Sequence, residues 1–524
     1  MIALCAASGA CSMVTPYHRP DLDLPTHWQG AADAGLAGTT PVTDGWWHAY
    51  QDPELDALIA RGLDHNATLA SAIAAVDAAR GNAEQAGAPL FPSLSVNGAF
   101  DRRHRSAGAS GGGSAGQSVL ASASYEVDFW GLNAANANAA ERLTRAAGAD
   151  RDTVALTLTA SIADSCFQAR SLARRAAIAG SIARDARDVL QLLVAQQAAG
   201  VATQLQIEQQ RTLVANLDAS AAALRLQHEQ AVHQLAILVG EAPERFTLAS
   251  GASDAASVPV ARAGLPARIL DARSDIRAAE ARLQAANFDV GAARAAFFPN
   301  LVLTADGGLS STSLRQFLSS PLTSFAAALT APVFDGGALR GRLHTSRAAA
   351  AKAVADYRQT VLTALGDVED MLSAADWQRR IEQADGDAAA AARHAEQLAT
   401  AQYRQGTLDY LSVLDTQRAR YQADDALEQA RLARLQASVG LFRALGGASP
   451  VEAGTDADTH ADTHADAHAD ARADVHADAP GGASPIEAGT KVDADTHAAE
   501  PATPQLTASP APFPPDSPNS AATP

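Results

Sequence analysis

The chain is written twice. Phe91-Pro92-Ser93-Leu94 returns 207 residues later as Phe298-Pro299-Asn300-Leu301, and Phe129-Trp130-Gly131 returns loosely, 205 later, as Phe334-Asp335-Gly336. Gln197-Ala198-Ala199-Gly200, with Leu205 and Ile207, returns 206 later as Tyr403-Arg404-Gln405-Gly406, with Leu411 and Val413. Three landmarks that hold one spacing within two residues define two copies of a single unit. The copies span residues 54–247 and 262–446, separated by a linker at 248–261. Whatever one unit folds into must therefore occur twice.

Each unit reads as helix, strand pair, long helix, turn and returning helix. The first helix runs through Ala-rich sequence into the Phe-Pro pair, where proline ends it because it has no N–H and disfavours helix in the preceding residue. The period then changes to two. Leu94, Val96 and Phe100 alternate with Ser93, Ser95 and Asn97, and Val119, Ala121, Ala123, Tyr125, Val127 and Phe129 alternate with Ser122, Ser124, Glu126 and Asp128. In the second unit Leu301 and Leu303 stand against Val302, Thr304 and Asp306, and Phe325, Ala327, Leu329, Ala331 and Val333 share one face. The expected strands are 93–103, 118–130, 300–309 and 324–334.

Strands of about 10 residues have the length of a tilted membrane-spanning strand, although a soluble two-sided sheet would alternate in the same way. Four strands cannot close a barrel, and an open edge is not tolerated in lipid. A spanning sheet must then be completed by further copies. Two copies would give 8 strands around a filled interior, whereas three would give 12 and leave a lumen.

After the strands, 141–199 and 343–405 contain no Pro and few Gly, which predicts helices of about 58 residues and roughly 85 Å. The returning segments carry coiled-coil spacing at Leu213, Leu217, Leu224, Ala231, Leu235 and Leu238, and at Leu432, Leu435, Val439 and Phe442. Gly200 and Gly406 are expected to end the outgoing helices in the left-handed conformation. Thr203 in the first unit, and Thr407 or Asp409 in the second, would cap the next helix.

Charge narrows the function classes. The net charge is −18, and residues 451–524 hold 13 acidic side chains against Arg472 and Lys491, a net of −11. Nothing here resembles the clustered basic surface of a nucleic-acid binder. No run of 18 apolar residues occurs, so no transmembrane helix is expected. Cys5, Cys11 and Cys166 make neither a disulfide framework nor a zinc site, and Cys166 reads as a small packed helical residue. HExxH, GxSxG and GxxxxGK[ST] are absent, and the glycine-rich run 111–116 between two strands reads as a loop. The chain is not expected to be an enzyme, and no cofactor is implied.

At the amino terminus, Ser8-Gly9-Ala10-Cys11 resembles a lipoprotein cleavage box, with the Cys11 thiol as acyl acceptor, although the usual Leu three residues earlier is missing. Residues 1–10 read as the remnant of a signal peptide that begins upstream, and 11–53 as a lipidated extension. Residues 447–524 read as a disordered acidic and Pro-rich tail, in which GGASPVEAGT recurs as GGASPIEAGT after 35 residues. His460, His464 and His468 lie four apart there, a spacing that suits metal ligands on a helix but that repeat slippage also explains.

With these features in place, the chain resembles the outer membrane efflux proteins, in particular the lipidated drug-efflux branch. The resemblance is carried by Cys11–Trp28 (CSMVTPYHRPDLDLPTHW), Leu265–Gly308, Ala331–Gly337 (APVFDGG) and Tyr403–Gln417 (YRQGTLDYLSVLDTQ), and covers about residues 11–446. It implies an α+β membrane protein: a homotrimer with a 12-stranded barrel in the outer membrane of a Gram-negative bacterium and a coiled-coil helical tunnel through the periplasm. It implies docking of the hairpin tips onto a periplasmic adaptor and a pump of the resistance-nodulation-division type, and passive conduction of drugs or other small molecules. By position, Tyr403 and Asp415 match the family's gating tyrosine and lumen-ringing aspartate, and Arg404 and Asp409 are candidates for contacts that hold the gate shut. Ser412 stands where some relatives are acidic, and Ser274 where the family usually has Pro. An exit duct for protein secretion, a metal-efflux duct and a soluble coiled-coil scaffold are the competing readings.

Overall fold

A computed structural model describes residues 13–30, 45–102, 115–248, 258–259, 261–311 and 319–447. Cys11, the tail with His460, His464 and His468, and residues 111–114 of the glycine-rich run lie outside the described residues.

Four strands, β1 (Ser93–Arg102), β2 (Ala115–Val127), β3 (Asn300–Ser311) and β4 (Pro321–Thr330), form one antiparallel sheet in the order β1-β2-β3-β4. Seven helices longer than one turn accompany it among the described residues: α1 (Pro53–His65), α2 (Ala67–Gly87), α3 (Leu132–Ala198), α4 (Gln204–Leu238), α5 (Ser274–Ala295), α6 (Ala338–Arg404) and α7 (Tyr410–Ala444). The α+β class read from the sequence is what folds, a largely helical chain with one small sheet.

Register separates the two faces of the sheet. Opposite pairs Ser95–Ser122, Ser122–Asp306, Ser124–Thr304 and Asp306–Ser324 put the hydroxyls and carboxylates on one side. Pairs Leu94–Ala123, Val96–Ala121, Tyr125–Leu303 and Ala305–Phe325 put the apolar groups on the other. A one-residue slip would exchange the two, so this alternation fixes the register.

Two strand ends differ from the alternation. β4 stops at Thr330, so Ala331 and Val333 lie beyond it; Pro332 cannot donate to a ladder. β2 stops at Val127 because Asp128 caps the helix that follows, its Oδ2 accepting from Ala134 N at 2.7 Å. Asp335 does the same in the second unit, accepting from Leu339 N at 2.6 Å and Gly337 N at 2.8 Å. The long helices therefore begin at Leu132 and Ala338, earlier than the Pro-free runs suggested, and each has 67 residues, about 100 Å. Trp130 ties the units together at this level: its Nε1 donates to Pro299 O at 2.8 Å, and its ring stacks on Phe298 at 4.5 Å.

The helices repeat the order of the strands. α2 leads into β1, α3 leaves β2, α5 leads into β3 and α6 leaves β4, and α2 packs on α3, α3 on α5 and α5 on α6. Farther from the sheet, α4 and α7 line the remainder of α3 and α6. Leu213, Leu217, Leu224 and Leu235 of the expected heptad seam are buried in α4, as are Leu435, Val439 and Phe442 in α7.

The main core gathers side chains of residues 46–50, α1, α3 and α7. Trp46 stacks on Phe442 at 5.3 Å, Tyr50 meets Phe167 at 5.2 Å, and the Tyr50 hydroxyl donates to Ser438 Oγ at 2.9 Å. Cys166 is buried and free there, and burial pushes its thiol up to about 12, so it stays a protonated packing group. Ser274 occupies the first position of α5, where a helix tolerates Pro, and accepts from Arg277 Nη2 at 3.1 Å.

Residues 13–30 add a strap. Met13 O accepts from Arg294 Nη1 at 3.4 Å, Thr15 O from Asn287 Nδ2 at 2.8 Å, and Glu280 takes Tyr17 and Arg19 at 3.2 and 2.7 Å. The segment thus runs antiparallel along α5, and Gln29 N and Gly30 N then reach Glu369 of α6 at 2.8 and 3.0 Å.

Candidate functional site

At the ends of α3 and α6 remote from the sheet, two hairpins turn with the same construction. Gly200 and Gly406 have φ of 76° and 75°, values that glycine adopts without the Cβ penalty. Val201 N returns to Gln196 O at 2.8 Å, and Thr407 N to Gln402 O at 3.0 Å, satisfying carbonyls of the last turn. Thr203 then caps α4 in a capping box with Gln206, and Asp409 caps α7 by accepting from Ser412 N at 2.8 Å. That bond holds the Asp409 carboxyl below its ordinary range.

The second tip is tied to the first by neutral hydrogen bonds. Tyr403, half-buried, donates from its hydroxyl to Gln196 Oε1 at 2.7 Å. One heptad on, Tyr410 is 2% exposed and donates to Gln210 Oε1 at 2.7 Å. Gln210 Nε2 donates to Ala186 O at 2.8 Å and to Gln417 Oε1 at 3.2 Å, and the two tyrosine rings meet at 6.3 Å. These groups sit on an apolar layer that includes Ile182, Leu193, Ile207, Leu213 and Leu414. Burial pushes both phenols above their ordinary pKa, so they remain donors through neutral pH.

Farther from the tips the contacts become ionic. Arg420 reaches Asp185 at 3.1 Å, Glu396 at 3.3 Å and Asp424 at 3.6 Å, and Arg393 reaches Asp424 at 2.7 Å. Arg175 is bidentate to Asp425, at 2.6 and 3.0 Å. The two hairpins are thus held side by side by hydrogen bonds at the tips and ion pairs behind them.

Of the residues singled out in the sequence, Gly200, Gly406, Tyr403, Arg404, Asp409 and Asp415 all fall on these tips, but they do not meet in one cluster. Arg404 and Asp415 are exposed and have no hydrogen-bond or ion-pair partner among the described residues. Asp409 spends its carboxylate on the helix cap. The partners that join the tips, Gln196, Tyr410, Gln210, Gln417 and Arg420, were not singled out. A signal existed for some of them, because Gln210 and Gln417 interrupt apolar heptad seams, Gln210 three residues before Leu213 and Gln417 three after Leu414. No group of three or more His, Cys, Asp or Glu is arranged to hold a metal among the described residues. No described helix is long and apolar enough to cross a membrane.

Comparison with known proteins follows the same outline. The family model described as outer membrane efflux protein matches residues 58–241 and 265–447. The chain is 37% identical to the pyoverdine export outer membrane protein OpmQ of Pseudomonas aeruginosa, over 85% of this chain and 96% of that one. It is 33% identical to outer membrane protein OprJ of the same species, over 84% and 93%. Among solved structures, the outer-membrane channel OprN superposes with a TM-score of 0.78 at 28% identity, covering 84% of this chain and all of that one. The open-state MtrE channel of Neisseria gonorrhoeae superposes at 0.75 with 26% identity, over 84% and 99%.

Proposed function

The chain belongs to the outer membrane efflux protein family, and on that premise we propose that three copies close into one lipid-anchored duct gated at the hairpin tips. It is the outer membrane component of an efflux system and a conduit, not an enzyme; proteins of this family work with a periplasmic adaptor and an inner-membrane pump.

One observation carries the trimer: strands and helices follow the same order, and both series end in unpartnered flanks. β1 and β4 are open edges, α2 packs chiefly on α3, and α6 packs on α5 and α7 with Leu362 and Trp377 left exposed. Closing flank on flank removes both edges at once, and three copies supply 12 strands around a lumen. The apolar face of the sheet then meets lipid and the polar face lines the passage. The two structural units at 54–247 and 262–446 supply equal halves of each subunit's wall.

The strap supports an anchor at Cys11. Met13 lies against Arg294, one residue from the end of α5, and β3 begins at Asn300. Cys11 is two residues away from Met13, hence within about 7 Å of it at full extension. An acyl chain on its sulfur would start at the base of the sheet, where the bilayer begins.

The tips form the periplasmic gate and dock the adaptor. Tyr403 holds them together through Gln196, Asp415 and Arg404 present free charge at the constriction, and Asp409 fixes the start of α7. The pump is of the resistance-nodulation-division type and the cargo is drug-like small molecules; relatives are named for pyoverdine and toluene export. Susceptibility of a strain lacking this chain to unrelated drugs and dyes, measured with its metal tolerance and secreted proteins, tests the assignment. Sensitisation restored by the wild-type chain, but not by one unable to trimerise, is expected. Unchanged susceptibility with a missing secreted protein would move the chain to protein export.

A further inference from the structure

The polar face of the sheet carries a bias that solubility in a lumen does not require. Serine, threonine and asparagine would suffice to keep it wet. Among the strand residues whose side chains are described, the charged ones are Glu126 and Asp306, both acidic and both on the polar face. Asp306 is built into the wall. Its row runs Ser122–Asp306–Ser324 across three adjacent strands, Ser324 Oγ donates to Asp306 Oδ2 at 2.8 Å, and the Ser122 hydroxyl donates as well. The two serines hold the carboxylate centrally in the sheet. Glu126 lies four residues along β2 from Ser122, about 14 Å nearer the helices.

We propose that Asp306, positioned by Ser122 and Ser324 and backed by Glu126, is a charge filter in the barrel wall that favours cationic over anionic solutes. The inference rests on the trimeric duct. Three copies turn each residue into a ring of three carboxylates, and the described side chains lining that part of the passage include no Lys or Arg to offset them. The reach of such rings is set by screening: about 30 Å at 0.01 M salt, enough to span a 12-stranded lumen, but only about 3 Å at 1 M. The filter is therefore electrostatic and salt-dependent, selecting by the sign of the solute's charge. It is separate from the tips, where Asp415 acts at the opposite end of the molecule.

Planar-bilayer recording in asymmetric KCl tests it, in a background carrying Tyr403→Ala, Arg404→Ala and Asp415→Ala so that the tip contributes neither its narrowing nor the free charge of those residues. The K+/Cl− permeability ratio should exceed one near 0.01 M salt, fall by about twofold or more in Asp306→Asn, fall further in Asp306→Asn Glu126→Gln, and approach one for all variants at 1 M. In the otherwise wild-type duct, hexamminecobalt added on the barrel side should block current less in Asp306→Asn, with block from the tip side unaltered. Normal channels whose permeability ratio and barrel-side block do not change would overturn the filter and leave the duct intact. A wild-type chain that forms no channels would sink the duct reading, and this inference with it.

Discussion

α3 and α6 have equal length and hold the same place in the two repeats, yet 25 residues of α3 are buried and only 9 of α6. In α3 the burial covers a broad face: Ala155, Leu156, Leu158, Thr159, Ala160, Ile162 and Ala163 are buried, with α1, α4, α5 and α7 packed on the helix and Thr157 left exposed. In α6 it is one stripe, Tyr357, Val361, Ala364, Val368 and Leu372, while Leu362 and Trp377 are 63% and 59% exposed. Even paired residues diverge. Asp164 of α3 is enclosed with an unpartnered Oδ1, whereas Asp370, 206 residues on, is exposed. A repeat dictates which elements form, but its position in the series dictates what they touch. α6 is a helix at the end of a row, and its bare face is where the proposed trimer would add another copy.

The contrast can be broken most forcefully from the α3 side. Ile162→Asp puts an unpaired carboxylate into the main core and should cost about 3–5 kcal/mol, abolishing folding as judged by circular dichroism and protease resistance. The paired change Leu362→Asp Trp377→Asp should leave helix content and protease resistance intact while removing the proposed trimer, read as a heat-sensitive band on gels. Loss of the fold in both would mean that α6 is no freer than α3.

Smaller effects sharpen the comparison. Burial raises the Asp164 carboxyl from 3.8 to about 6, so ionising it costs stability. That cost is absent below the unfolded pKa, grows as pH rises and is complete above the folded value. Asp164→Asn should therefore stabilise the chain by about 2 kcal/mol at pH 8 and leave it unchanged near pH 3.5, measured by denaturant titration. Gly291→Ala tests the strap, because a Cβ there would clash with Val14 Cγ2. A loss of about 1–3 kcal/mol, or proteolytic release of residues 13–30, is expected. Tyr410→Phe leaves Gln210 without its donor and should cost about 1 kcal/mol while raising single-channel conductance. Tyr403→Ala and Asp415→Ala should raise conductance too, and unchanged values in both would remove the gate from these residues.

Much of this was legible before any coordinates. The 206-residue spacing, the glycine turns, the Asp409 cap and the two-residue alternation each depend on local sequence, which carries its own signal. The strand ends were less so, because Pro332 and the caps Asp128 and Asp335 cut short an alternation that the apolar residues alone would continue. The strap and the Tyr410–Gln210–Gln417 chain depend on contacts between residues about 200 or more apart, which no window sees. The difference between α3 and α6 left only a faint trace: 155–172 holds two charged residues, Asp164 and Arg170, and the matching 361–378 holds four. Packing, not propensity, separates them.

The claim that these flanks meet in a three-membered ring is tested most directly by native mass spectrometry of the detergent-solubilised chain, beside the Leu362→Asp Trp377→Asp variant. Three subunits for the wild type and one for the variant are expected. A wild-type monomer or dimer, or a variant that still holds three subunits, would contradict closure along α6.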